Sequence, residues 1–235
     1  MWNKFYPNTT PKQIYNKFAR TAAENNSINI IIEQDDHTSH FLIKHNPKTT
    51  NDTIFFGISD DGEANLKSVS FDSNNQGKDV AKRYLQTAVD VIKQAGSKTM
   101  SVVATNIGSY AWAKYGFCPD TQQDWLKLKK SIKERLRADG NTIRFKGRSY
   151  EITEAEHTAI NKILDSSLLE LPQNFPHLTE FNRVIGKIDN KPLTVGKALL
   201  IKQQWKGILP LDDNNISFKR FKAYTEPTIT QLIEV

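Results

Sequence analysis

Gln76-Gly77-Lys78-Asp79-Val80-Ala81-Lys82 opens the stretch that decides the fold, and Ser109-Tyr110-Ala111-Trp112-Ala113-Lys114-Tyr115-Gly116-Phe117 closes it. Between the two, Val80, Ala81, Tyr84, Leu85, Ala88, Val91 and Ile92 recur at helical spacing, which predicts a helix over residues 77–95 stopped by Gly96. Residues 99–104 are a near-continuous apolar run, read as a strand buried on both faces. Residues 107–115 then predict a short helix that ends at Gly116.

Upstream, Ile14, Tyr15, Phe18 and Ala22 predict a helix over residues 11–23, with Thr10 as its cap and Pro11 in the first helical position. Four β-rich runs follow at 28–33, 39–44, 53–58 and 65–71. They are separated by the turn signals Asp35-Asp36, Asn46-Pro47 and Asp60-Asp61-Gly62. Short links between consecutive strands imply an antiparallel meander. The fold class expected is therefore α/β, a mixed and mostly antiparallel sheet with flanking helices.

Downstream, the reading is a helix over 124–138 and a hairpin of 142–145 and 149–152 turned at Lys146-Gly147. Thr153-Glu154-Ala155-Glu156 has capping-box form and opens a helix to about residue 168. Pro172, Pro176 and Pro192 interrupt the next stretch, residues 195–204 read as helix, and the remaining tail carries apolar residues without a legible motif. This makes residues 121–235 a mainly helical extension with a basic helix and a hairpin.

The order loop, helix, strand, helix, Gly-Phe resembles the core of the GNAT superfamily of N-acetyltransferases, over about residues 28–117. The resemblance implies an acyl-CoA-binding domain in residues 1–120, acetyl-CoA or another acyl-CoA as cosubstrate, and transfer of the acyl group to an amine. In that family, backbone N–H groups of a glycine-containing loop and the helix start cradle the CoA pyrophosphate, as any helix N-terminus favours an anion. Gln76, Gly77, Lys78, Asp79, Val80 and Ala81 fall on that loop. Asp79 stands where the family has its central glycine; a carboxylate there repels phosphate and its Cβ limits backbone approach, while Lys78 and Lys82 offset the charge. The resemblance also gives the backbone of Val69 and Phe71 to the pantetheine arm, and an N–H near Phe71 to the oxyanion.

Gly116-Phe117 matches the family's Gly-Phe, but Trp112 occupies the position of a tyrosine that protonates the departing thiolate. An indole N–H does not serve that role, which leaves Tyr115 as the candidate acid, Tyr110 as a substitute, or departure of CoA as the thiolate with no dedicated acid. The candidate base, which frees the attacking amine from its ammonium form, is Glu63, with Asp61 second. The length of the extension suggests a protein amine as acceptor, beside a small amine. The departures at Asp79 and Trp112 leave open a non-catalytic interaction protein on the same scaffold.

Other chemistries find less in the sequence. His37, His40 and His45 form a histidine cluster, but strand parity puts His40 and His45 on opposite faces, so no metal is expected. Cys118 is the sole cysteine; with no histidine close in sequence it reads as a buried structural thiol, and with no possible internal disulfide the chain suits a reducing, cytoplasmic compartment. A signal-less secretion route is compatible with the same sequence. The net charge is +6, and nine basic residues against two acidic ones lie between Lys127 and Arg148. That stretch reads as a solvated helix face or a dock for an acidic partner; no nucleic-acid motif accompanies it, and no window is apolar enough to span a membrane.

Overall fold

The computed structural model describes residues 10–21, 28–34, 38–45, 52–71, 79–137 and 141–226. Its main sheet has seven strands in the order β1-β2-β3-β4-β5-β12-β6. They are β1 (Ile28–Gln34), β2 (Thr38–His45), β3 (Asp52–Ser59), β4 (Glu63–Ser70), β5 (Thr99–Ala104), β6 (Cys118–Pro119) and β12 (Trp205–Pro210). Strands β1 to β4 form the predicted antiparallel meander, and β12 is antiparallel to β6. The chain divides into two compact units, one of residues 1–101, 210–213 and 221–235, the other of residues 102–209 and 214–220.

In the first unit, α1 (Pro11–Thr21) starts where Thr10 and Gln13 exchange hydrogen bonds, Thr10 N–H to Gln13 Oε1 at 2.7 Å and Gln13 N–H to Thr10 Oγ1 at 3.2 Å. Its buried face, Ile14 and Phe18, meets α2 (Val80–Gln94) and the inner face of the meander. Phe18 lies 6.3 Å from the Tyr84 ring and 6.5 Å from Phe56, and Phe56 stacks on Phe41 at 4.8 Å. Cross-strand partners share a face, so the pairing Phe41↔Phe56 builds this core directly from the register.

Strand β4 carries an irregularity absent from the sequence reading. Phe56 pairs with Leu66 and Phe55 with Ser68, which leaves Lys67 as an extra residue in the ladder. A bulge of one residue reverses the side-chain alternation beyond it. Ala64 and Leu66 are buried before the bulge, and after it Val69 pairs with the buried Ile54 and turns to the same face. The three-residue step from Leu66 to Val69 is the trace of this bulge in the sequence.

In the second unit, α3 (Gly108–Lys114), α4 (Gln122–Arg135), α5 (Glu154–Leu164), the four-residue α6 (Leu171–Asn174), α7 (Val195–Leu200) and the first turns of α8 (Ile216–Thr225) surround a core centred on Trp125, Phe175 and Trp205. Phe175 meets Trp125 and Trp205 edge to face, at 5.9 and 5.3 Å. Strands β7 (Leu136–Arg137), β8 (Thr142–Phe145) and β9 (Arg148–Glu151) form a small sheet, its hairpin turned at Lys146 and Gly147 with φ of 50° and 77°. Thr153 and Glu156 make the predicted capping box, with hydrogen bonds of 3.1 and 2.8 Å.

Several elements differ from their sequence-based expectations. Strand β5 is not buried on both faces: Met100, Val102 and Ala104 are buried, but Val103 is 54% exposed. The helix expected over 195–204 stops at Leu200, and 205–210 is β12, whose alternation of Trp205, Gly207 and Leu209 inward is that of a strand. The helix opened by the capping box ends at Leu164 rather than 168, where a separate 3₁₀ turn, Leu168–Glu170, begins under its own cap. The Pro192 region holds an unanticipated hairpin, β10 (Val184–Ile188) with β11 (Lys191–Thr194), turned by Asp189 and Asn190, both at positive φ. Pro192 fits because this two-stranded sheet leaves each strand an edge.

Candidate functional site

The start of α2 is the part of the site that the structure describes best. Asp79 is its N-cap residue, with φ 59° and ψ 3°, the left-handed conformation that glycine adopts freely and that aspartate tolerates better than most residues. Its side chain makes no capping hydrogen bond to the helix. The carboxylate instead meets the Lys82 ammonium at 2.9 Å, and that ammonium also lies 4.5 Å from the centre of the Tyr224 ring. The first-turn N–H groups of α2 are therefore not capped by the Asp79 side chain, which suits an anion, while the Asp79 carboxylate, paired to Lys82, opposes one. Gln76, Gly77 and Lys78 lie outside the described residues. Val80 is buried and Ala81 half-buried.

Val69, near the C-terminal end of β4 past the bulge, and Phe71, just after the strand, are both half-buried. Glu63 lies at the other end, six residues before Val69, which is roughly 20 Å at ~3.3 Å per residue. Lys67 lies between, four residues from Glu63. The Lys67 ammonium sits 3.2 Å from His40 Nδ1 and over the Phe55 ring at 5.1 Å. Asp61 closes the β3–β4 turn: it accepts from the Ser59 hydroxyl and, at 3.1 Å, from the Glu63 N–H. These two hydrogen bonds hold its carboxyl below the usual range, so Asp61 is a turn residue and a weak base.

In the second unit, Gly116 ends α3 with φ 93°, and a Cβ there would stand 2.6 Å from the Ser217 carbonyl oxygen. Tyr115, 8% exposed, packs 5.6 Å from Trp112, which lies 5.4 Å from Phe117. The Tyr110 hydroxyl donates to the Thr179 carbonyl at 3.2 Å, which makes it a structural group. Burial pushes the Cys118 thiol up to about 12, in keeping with an unreactive side chain. Among the described residues no group of three or more His, Cys, Asp or Glu side chains is arranged to hold a metal, and no helix is long and apolar enough to cross a membrane. The side chains of His37 and His45 lie outside the description.

The solved structure of nourseothricin acetyltransferase overlaps this chain with a TM-score of 0.31 and 10% identity, covering 48% of this chain and 81% of that one. A likeness that slight carries no argument. No family model matches the chain, and no curated protein does. The chain's own elements form the expected mixed α/β arrangement, a mostly antiparallel sheet with flanking helices.

The sequence reading missed a polar cluster in the second unit. Glu180 accepts from His177 Nδ1 at 2.6 Å with one carboxylate oxygen and from Arg220 at 2.8 Å with the other. The i, i+3 spacing of His177 and Glu180 was a legible signal; the approach of Arg220 from forty residues away was not.

Proposed function

We propose that the chain is an acyltransferase that moves an acetyl or other acyl group from acyl-CoA to an amine on a protein, by direct attack within a ternary complex. The observation that carries this reading is Asp79. It stands where the resembled loop has glycine and adopts the backbone conformation glycine favours, with its carboxylate paired to Lys82 rather than capping α2. Acyl-CoA would be held by residues 1–120, through Val69, Phe71 and the loop from Gln76 to Ala81. This functional division cuts the chain elsewhere than its two compact units do.

In the reaction, Glu63 takes a proton from the acceptor ammonium. The neutral nitrogen attacks the thioester carbonyl, the C–N bond forms, the now cationic nitrogen gives its extra proton to solvent, and collapse of the oxyanion breaks the C–S bond. The thiolate takes its proton from Tyr115, which recovers one from solvent. Glu63 lies six residues before Val69 along β4, so in this reading the ammonium proton reaches it through intervening water rather than by direct contact. The reading places this chemistry in the cytoplasm.

The test is calorimetric titration of acetyl-CoA into the wild-type chain and Ala81→Glu, which sets a carboxylate into the first turn of α2. A dissociation constant on the order of micromolar, lost in the variant, supports the cofactor site. A folded wild type that does not bind refutes it. A second reading, a non-catalytic interaction protein on the same scaffold, is favoured by Trp112 and by the engaged Tyr110 hydroxyl. No acetyl-CoA binding by the folded chain would select it.

A further inference from the structure

A groove with a cavity of about 420 Å³ lies against one face of α5, within the second unit. Ala159, Lys162 and Ile163, spaced i, i+3, i+4, supply one wall, and Phe181 adds a further apolar surface. The core-facing residues of that helix, Ile160 and Leu164, point elsewhere and are fully buried. The polar lining is Asn174, His177 and Glu180, with Lys162. The volume falls in the range of small-molecule sites, and mostly apolar walls with a few convergent polar groups are what such sites have in common.

The polar groups differ in how they are held. Asn174 Nδ2 donates to the Ser166 hydroxyl at 2.8 Å. Phe181 is anchored through its carbonyl, which accepts from the Gly196 N–H at 3.0 Å. Glu180 bridges His177 and Arg220, and Arg220 Nη2 faces His177 Nε2 at 3.4 Å; arginine only donates, so Nε2 is the acceptor and Nδ1 carries the proton given to Glu180. Burial works to raise the Glu180 carboxyl, and the hydrogen bonds from His177 and Arg220 outweigh it and hold the group ionised. Lys162 is exposed and, among the described residues, pairs with no carboxylate. The charges of Glu180 and Arg220 cancel, so Lys162 leaves the groove with one uncompensated positive charge.

We propose that this groove binds a small organic carboxylate with a flat apolar body, its carboxylate on the Lys162 ammonium and its body against the apolar lining of Ile163 and Phe181. A carboxylate fits better than a phosphate, because the one guanidinium nearby already spends its fork on Glu180 and His177, leaving a point charge and an amide for the ligand. The polar groups fixed by their own hydrogen bonds need little reordering on binding. The proposal is independent of acyl transfer.

The probe is phenylacetate, titrated into the full chain and followed by NMR, beside neutral phenylacetamide and inorganic phosphate. The variants are Lys162→Met, an exposed substitution, and Phe181→Ala, with circular dichroism as the check on folding. The expected result is saturable phenylacetate binding with a dissociation constant on the order of a millimolar or below, weakened about tenfold in Lys162→Met and for phenylacetamide. Folded Phe181→Ala loses it as well. Equal binding by wild type and Lys162→Met, equal binding of the amide, preferential binding of phosphate, or no saturation would each overturn the assignment.

Discussion

Replacing Asp79 by asparagine or glycine separates the two effects that this residue has on α2. In the native chain it holds a left-handed φ of 59°, and its carboxylate lies 2.9 Å from Lys82. Glycine removes the left-handed cost of about 1 kcal/mol but gives back about 0.5–1 kcal/mol of unfolded-state freedom, an exposed ion pair worth at most about 1 kcal/mol, and the favourable interaction of a carboxylate with a helix N-terminus. The stability change is then between about zero and a loss of about 2 kcal/mol. Acyl-CoA affinity responds differently. A carboxylate ~5 Å from a pyrophosphate in water-like surroundings costs about 0.8 kcal/mol per phosphate charge, so about 1.5 kcal/mol for two. Both Asp79→Asn, which tolerates the left-handed backbone, and Asp79→Gly should bind acetyl-CoA about tenfold more tightly than wild type. Calorimetry at low and high salt measures this, and the gain should shrink as salt screens the charge. Folded variants with unchanged or weaker affinity would refute the placement of the pyrophosphate at this helix.

Arg135 donates from Nη1 to the carbonyls of Ala198, Leu199 and Ile201, at 2.9, 3.1 and 2.7 Å, and so satisfies the end of α7; Arg135→Met should lower urea-unfolding stability by about 2–4 kcal/mol, and a loss below about 0.5 kcal/mol would show the carbonyls find other partners. Gly116→Ala forces a Cβ into a φ of 93° and to 2.6 Å from the Ser217 oxygen, so a loss of about 2–3 kcal/mol is expected by thermal unfolding, and a neutral result would contradict that close approach. The Cys118 thiol, raised from 9.0 to about 12 by burial, stays protonated in the native chain while the unfolded thiol ionises. Its contribution to stability is therefore complete below pH 9 and is lost as pH rises toward about 12. Tyr84, also raised by burial, acts in the same direction, so the test is the difference between wild type and Cys118→Ala: the variant should lose less stability over that window, and identical pH profiles would refute the burial argument.

The sequence by itself determined what short-range physics governs. The meander follows from apolar alternation and the turn signals between its runs, the helices from 3.6-residue periodicity, and the ends of α1, α3 and α5 from Thr10, Gly116 and the Thr153–Glu156 box, since each depends on groups within four residues. The bulge at Lys67 left a trace in the step from Leu66 to Val69. Tertiary structure decided the rest. Residues 205–210 follow an apolar helix with no turn signal, and become a strand only because sheet partners are present on both sides. Whether Val103 faces solvent or core depends on what covers β5, which no local pattern encodes. Arg135 reads as one more charge in a basic run until α7 presents three carbonyls to it. The His177, Glu180 and Arg220 cluster joins residues forty apart. In each case the deciding term is a contact between distant segments, and its energy does not exist until the chain has closed the loop between them.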